Sequence, residues 1–148
     1  MDVVIRRADG FDAPVVGELI QSWMNETDFN YPALCPYSHV WLADFLYNQI
    51  CFVAIKNDKI IGTIGIRQAH FPWNNLVNGL FCEFLMVLPQ YRIDNVAAKL
   101  IKEVKRLSDE TKLPVFLGIM TGLKAEQKDR FLEVCGFKYA GGNFVYGM

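Results

Sequence analysis

The sequence predicts a single alternating α/β unit, residues 1–148, without repeats or a linker. Three observations carry that reading. Apolar runs at Cys51 to Ile55 and Ile60 to Arg67 flank the turn KNDK, which is the pattern of a β-hairpin. The apolar run from Phe81 to Leu88 stops at Pro89 and leads through a polar turn into Val96, Ala97, Leu100, Ile101, Val104 and Leu107, spaced for one face of a helix. A polar helical stretch from about Lys124 to Val134 meets Gly136, a suitable glycine for a helix C-terminus.

The remaining elements follow in order. Val3 to Arg7 reads as an opening strand. Pro14 stands near the start of a helix to about Asn25, with Val15, Val16, Leu19, Ile20 and Trp23 on one side. NETDFNYPALCPY is a loop, because prolines and Asn/Asp residues interrupt any period, and Val40 to Tyr47 forms a short second helix. HFPWNNLVNG reads as a polar-aromatic loop before the Phe81 strand. Pro114 to Ile119 is a further strand, and Phe144 to Tyr146 a last one closing the sheet.

Composition narrows the function classes. With 52% hydrophobic and 14% aromatic residues, the chain suits a packed globule and not a disordered segment. No apolar run approaches the roughly 20 residues that span a bilayer, and the start MDVVIRRADG does not read as a signal peptide. Cys35, Cys51, Cys82 and Cys135 are scattered, with two inside apolar runs, which favours reduced cysteines and a cytoplasmic setting. With no CxxC and only His39 and His70, no metal site is expected. Residues 1–50 hold seven Asp/Glu against two Lys/Arg, and residues 51–148 hold nine against thirteen. That basic half is too diffuse for duplex nucleic acid, and its Lys99–Arg106 charges read as the solvent face of a helix.

The stretch FCEFLMVLPQYRIDNVAAKLI carries the chemistry. A strand running through a tight turn into a helix presents backbone N–H groups that suit a phosphate or other anion. Glu83 is an acidic residue in an otherwise apolar strand, costly unless paired or functional. Strict alternation puts it on the face of Leu85 and Val87. Two roles stand open for it, a general base and an ion pair with Arg67 or another strand neighbour.

The order of elements resembles the GNAT superfamily of acyl-CoA N-acyltransferases over nearly the whole chain. IKNDKIIGTIGI looks like its paired second and third strands, MVLPQYRIDNVAAKLI is similar to its cofactor motif, and RFLEVCGFKYAGG resembles its "YekcGFk..g". The resemblance implies a mixed central sheet flanked by about four helices, and direct transfer of an acetyl or short acyl group from acetyl-CoA to a small-molecule or protein amine. It implies further that Leu85, Met86 and Val87 bind the pantetheine arm, and that Arg92, Ile93, Asp94, Asn95, Val96 and Ala97 form the pyrophosphate turn. Glu83 falls where many members carry an amine-activating glutamate.

This sequence departs from the pattern in three places. Asn95 replaces the central glycine, Asp94 sets a carboxylate beside the expected phosphates, and Leu132 stands where a tyrosine acid is usual. Tyr139 and Tyr146 lie nearby but do not match that motif. The alternative is an inactive binding module that has lost its cofactor. An acceptor site is expected from the first two helices, the loop between them and the loop before the Phe81 strand, with Asp28, Phe29, Tyr31 and Trp73 foremost and Tyr37, His39, Phe71 and Asn74 beside them. The resemblance also implies a homodimer through C-terminal strands and suggests a bacterial or phage setting.

Overall fold

The computed structural model describes residues 2–27, 38–118, 124–142, 144, 146 and 147. Five strands lie in the order β1-β2-β3-β4-β5: β1 (Val4–Arg7), β2 (Ile50–Lys56), β3 (Lys59–Phe71), β4 (Asn74–Val87) and β5 (Val115–Phe116). The first three pairings are antiparallel and the last is parallel, so the sheet is mixed. Helices α1 (Ala13–Glu26) and α2 (Ser38–Asn48) cover one face, and α3 (Val96–Thr111) and α4 (Ala125–Val134) the other.

Each face buries what the helical spacing presents. Val16, Leu19 and Ile20 of α1 and Leu42, Phe45 and Leu46 of α2 pack on Cys51, Val53, Phe84 and Met86. Across the sheet, Val96, Leu100, Ile101 and Val104 of α3 and Leu132 of α4 pack on Ile61, Ile64, Leu80 and Val87. Asp12 ends a capping box before α1 and takes two hydrogen bonds from the Arg6 guanidinium, at 2.7 and 2.9 Å, which hold its carboxyl below the usual range.

The β2–β3 hairpin turns through Asn57 and Asp58 at φ 51° and 58°, the primed turn that matches strand twist. At the end of α4, Phe137 N–H reaches Leu132 O at 3.0 Å and Gly136 N–H reaches Glu133 O at 2.9 Å, with Gly136 at φ 96°. That is the Schellman arrangement expected of a glycine just past a helix.

Three expectations are corrected. HFPWNNLVNG is a long hairpin and not a loop: β3 continues to Phe71, β4 begins at Asn74, and Ala69 pairs with Gly79. Asparagine and glycine carry little strand preference of their own, so pairing with β3 decides their state. The aromatic rings of Phe71, Trp73, Phe81 and Phe116 pack together there, with centroids 5.3–5.9 Å apart. The strand expected over Pro114 to Ile119 shrinks to Val115–Phe116, with Ile119 outside the described residues. Phe144 and Tyr146 belong to no strand and are fully exposed, so nothing among the described residues supports the expected dimer through C-terminal strands.

The feature that shapes the site is a β-bulge. Gly65 pairs with Phe84 but Ile66 pairs with Cys82, which leaves Glu83 as the extra residue. Cys82 consequently packs toward α3 and Phe84 toward α2, although two residues apart in a regular strand share a face. The Phe84 ring lies across Gly65, where an added Cβ would fall 2.3 Å from its Cζ. Gly65→Ala is therefore expected to force the ring aside and cost about 1–3 kcal/mol, read by denaturant unfolding.

Candidate functional site

The bulge re-aims Glu83. Leu85 and Val87 pack on the α3 side, whereas Glu83 opens into a cleft beneath α2, so the alternation argument for a shared face fails at the inserted residue. The cleft has a volume of about 260 Å³ and is lined by Trp41, Asp44, Phe45, Asn48, Gln49, Arg67 and Glu83. Arg67 donates from Nε to a Glu83 carboxylate oxygen and lies 5.5 Å from the Phe81 ring centroid. The ion pair weighed for Glu83 from sequence is present, and the carboxylate still faces the cleft.

On the other side of the bulge the sheet opens. Among the described residues β5 pairs with β4 only at Leu80 and Phe81, so no strand flanks that edge from Cys82 to Val87. Leu88 N–H bonds Ile61 O at 2.9 Å, and alternation therefore turns the N–H and C=O of Leu85 and Val87 toward the open edge. Met86 and Val87 are buried and Leu85 half-buried, giving that edge apolar walls.

The turn that follows is a short 3-10 helix, Pro89–Asp94, closed by Asn95 at φ 55° and ψ 29°. The glycine position of the motif is thus left-handed, which a backbone without Cβ adopts freely and asparagine more readily than most residues. Asn95→Val is expected to be less stable than Asn95→Gly by about 1–2 kcal/mol, measured by urea unfolding of the two variants.

Asn95 makes no side-chain cap, and the helix ladder opens with Lys99 N–H to Asn95 O at 3.1 Å. The N–H groups of Val96, Ala97 and Ala98 precede the first α-helical bond and point out of the helix end. Ala97 is half-buried and small, and Val96 is buried over Gly62, where a Cβ would lie 3.1 Å from its methyl. Ile93 stands in solvent, 88% exposed.

The charges at the turn are partnered. Asp94 receives a hydrogen bond from Lys56 Nζ at 2.6 Å, so its carboxylate is offset by a cation from β2. Arg92 donates to Val87 O at 3.0 Å and to Glu26 at 2.6 Å, fastening the turn to both β4 and the end of α1. Lys128 of α4 stands in the same charge cluster. Burial pushes its ammonium down from the ordinary lysine range, and repulsion from Arg92 pushes the same way.

The remaining site residues separate into three groups. Trp73 sits at the tip of the β3–β4 hairpin, 81% exposed and packed on Phe71, away from the cleft lining. Asp28, Phe29, Tyr31 and Tyr37 lie outside the described residues. Leu132 is buried core, Tyr139 is exposed, and neither supplies an acid to the cleft. Burial pushes the Cys51 thiol up to about 11 and the Cys82 thiol up to about 12, with Glu83 adding to the second, which keeps both protonated near neutral pH.

Sequence reasoning missed Trp41, Asp44, Asn48 and Gln49. Trp41, Asp44, Phe45 and Asn48 recur at i, i+3, i+4 and i+7, which places them on one helix face, and that spacing was the available signal.

The acetyltransferase (GNAT) domain family model matches residues 47–139, more than half of the chain. The chain belongs to the GNAT superfamily of acetyltransferases. No curated protein sequence matches it. Among solved structures, an aminoglycoside acetyltransferase, HMB0005 from an uncultured soil metagenomic sample, is similar with a TM-score of 0.75 at 15% identity, covering 100% of this chain and 99% of that one. The ribosomal-protein-alanine N-acetyltransferase from Brucella melitensis biovar Abortus 2308 is similar with a TM-score of 0.75 at 12% identity, covering 100% of both chains. AAC(6')-Iy, in complex with a bisubstrate analogue of CoA and acetylneamine, gives a TM-score of 0.74 at 18% identity, covering 100% and 99%. At these identities the likeness is one of fold.

Proposed function

We propose that this chain is an acetyl-CoA-dependent N-acetyltransferase that moves an acetyl or short acyl group directly to a primary amine. The observation that carries this reading is an edge of β4 that no strand flanks among the described residues, running into a left-handed turn at the N-terminus of α3. Such an edge offers backbone partners to an amide-bearing arm, and the helix end offers N–H groups to a pyrophosphate. The donor set therefore suits CoA. Leu85 and the N–H of Val87 would bond the arm, the N–H groups of Asn95 to Ala98 the phosphates, and Arg92 and Lys128 would add positive charge nearby. The donor supplies an acyl group on a thioester.

Glu83 is the proposed general base, the inserted residue of the β4 bulge and part of the lining of the α2 cleft. It takes the proton from the attacking amine as the new C–N bond forms. With the donor bound, the thioester C–S bond would break and its electron pair would leave on the sulfur. A thiolate, with a reference pKa of about 8.5, leaves without an assigned protein acid, which fits the burial of Leu132.

The cofactor-free alternative draws on one observation: Arg92 and Asp94 are both committed to internal ion pairs, as a purely structural turn would have them. Thiol release decides between the two. The protein incubated with acetyl-CoA and a panel of primary amines should liberate free CoA and an acetylated amine detectable by mass spectrometry. No thiol release with any amine would favour the binding module.

A further inference from the structure

The cleft beneath α2 carries a charge pattern beyond what a single amine requires. Asp44, Glu83 and Arg67 all line it, and Arg67 is paired with Glu83. Asp44 is left without a cation among the described residues. It accepts a hydrogen bond from the neutral amide of Asn48, at 2.7 Å. One helical turn away, Trp41 is 52% exposed, its ring 5.2 Å from that of buried Phe45. A carboxylate with no cation partner among the described residues and an open indole, on the wall of one small cleft, suit an alkylammonium group, which gains from both.

We infer that the acceptor carries a second cationic amine, held by Asp44 and the Trp41 ring while the first amine reacts beside Glu83. The inference rests on the acetyltransferase reading for the reacting end and adds the class of acceptor. A volume of about 260 Å³ lies just under the usual range of small-molecule pockets. That favours a flexible aliphatic diamine or one end of a larger polyamine. An amine whose second group is a carboxylate meets repulsion from Asp44.

Diaminobutane and butylamine share a carbon chain and differ in the second ammonium, so they isolate this contact. With acetyl-CoA, kcat/KM should favour diaminobutane by roughly tenfold, the sum expected of one exposed ion pair and one cation–π contact. Asp44→Asn should shrink that preference to about threefold or less, and Asp44→Lys should reverse it. Asp44 is exposed on α2, so both variants should fold, which circular dichroism checks. Equal use of the two amines, or a preference unmoved in Asp44→Lys, would overturn the inference.

Titration calorimetry with diaminobutane in the absence of acetyl-CoA separates this proposal from the transfer reading. Binding that weakens with salt and is lost in Asp44→Lys, in a protein that releases no thiol, would support the diamine site and count against acyl transfer. No binding of diaminobutane at millimolar concentration overturns the diamine site whatever the activity.

Discussion

Glu83→Gln is expected to lower the acyl-transfer rate by ~10²- to 10⁴-fold, the usual worth of a positioned general base. The substitution keeps the size of the side chain and its place on the bulge, and removes the ability to accept a proton. The lost ion pair with Arg67 is half-exposed on both sides, so its stability cost should stay within about 1 kcal/mol. Affinity for acetyl-CoA should be unchanged, because the proposed phosphate and pantetheine contacts come from β4 past Glu83 and from the α3 turn. A steady-state comparison of kcat with acetyl-CoA affinity reads both. A variant as active as the parent removes Glu83 from the mechanism.

Ala97→Glu should weaken acetyl-CoA binding by ~100-fold or more. Ala97 sits in the first turn of α3, where a side chain no larger than a methyl leaves the helix end approachable. A glutamate there would fill that approach and set a negative charge against the pyrophosphate, opposing the attraction of the helix end. Folding should survive, since Ala97 is only half-buried and glutamate is favourable at a helix N-terminus. Calorimetric titration of the variant with acetyl-CoA is the check, with its thermal unfolding as the control.

Much of the fold could be read from local pattern. The period of Val96, Leu100, Ile101 and Val104 identifies the buried face of α3, and all four are buried. The KNDK turn and Gly136 declare themselves because left-handed backbone has few tolerated residues. The parts that escaped depend on distant partners. The polar strand Asn74 to Gly79 has no strand pattern of its own and exists because β3 pairs with it. The bulge at Glu83 follows from the register between two strands, and one inserted residue moves a side chain to the other face.

The same distinction holds for the site. The turn from Arg92 to Ala97 was legible as strand, breaker and helix. The offset of Asp94 by Lys56 links residues 38 positions apart and has no local signature. It softens the objection to a carboxylate beside phosphates, since the ammonium stands 2.6 Å from that carboxylate. The role of α2 was visible in principle through its Trp41–Asp44–Asn48 spacing. It lay hidden because an aromatic and polar stripe on a short helix equally suits a solvated face.

Acetyl-CoA is proposed to lie along the edge of β4 that no strand flanks among the described residues, with its pyrophosphate at the N-terminus of α3. Backbone amide NMR of the protein titrated with acetyl-CoA tests this residue by residue. The largest shifts should fall on the N–H groups of Leu85, Val87 and Asn95 to Ala98. No shifts at millimolar acetyl-CoA, or shifts confined to a second groove, which Lys102 and Arg106 of α3 line with Val134 of α4, would contradict it.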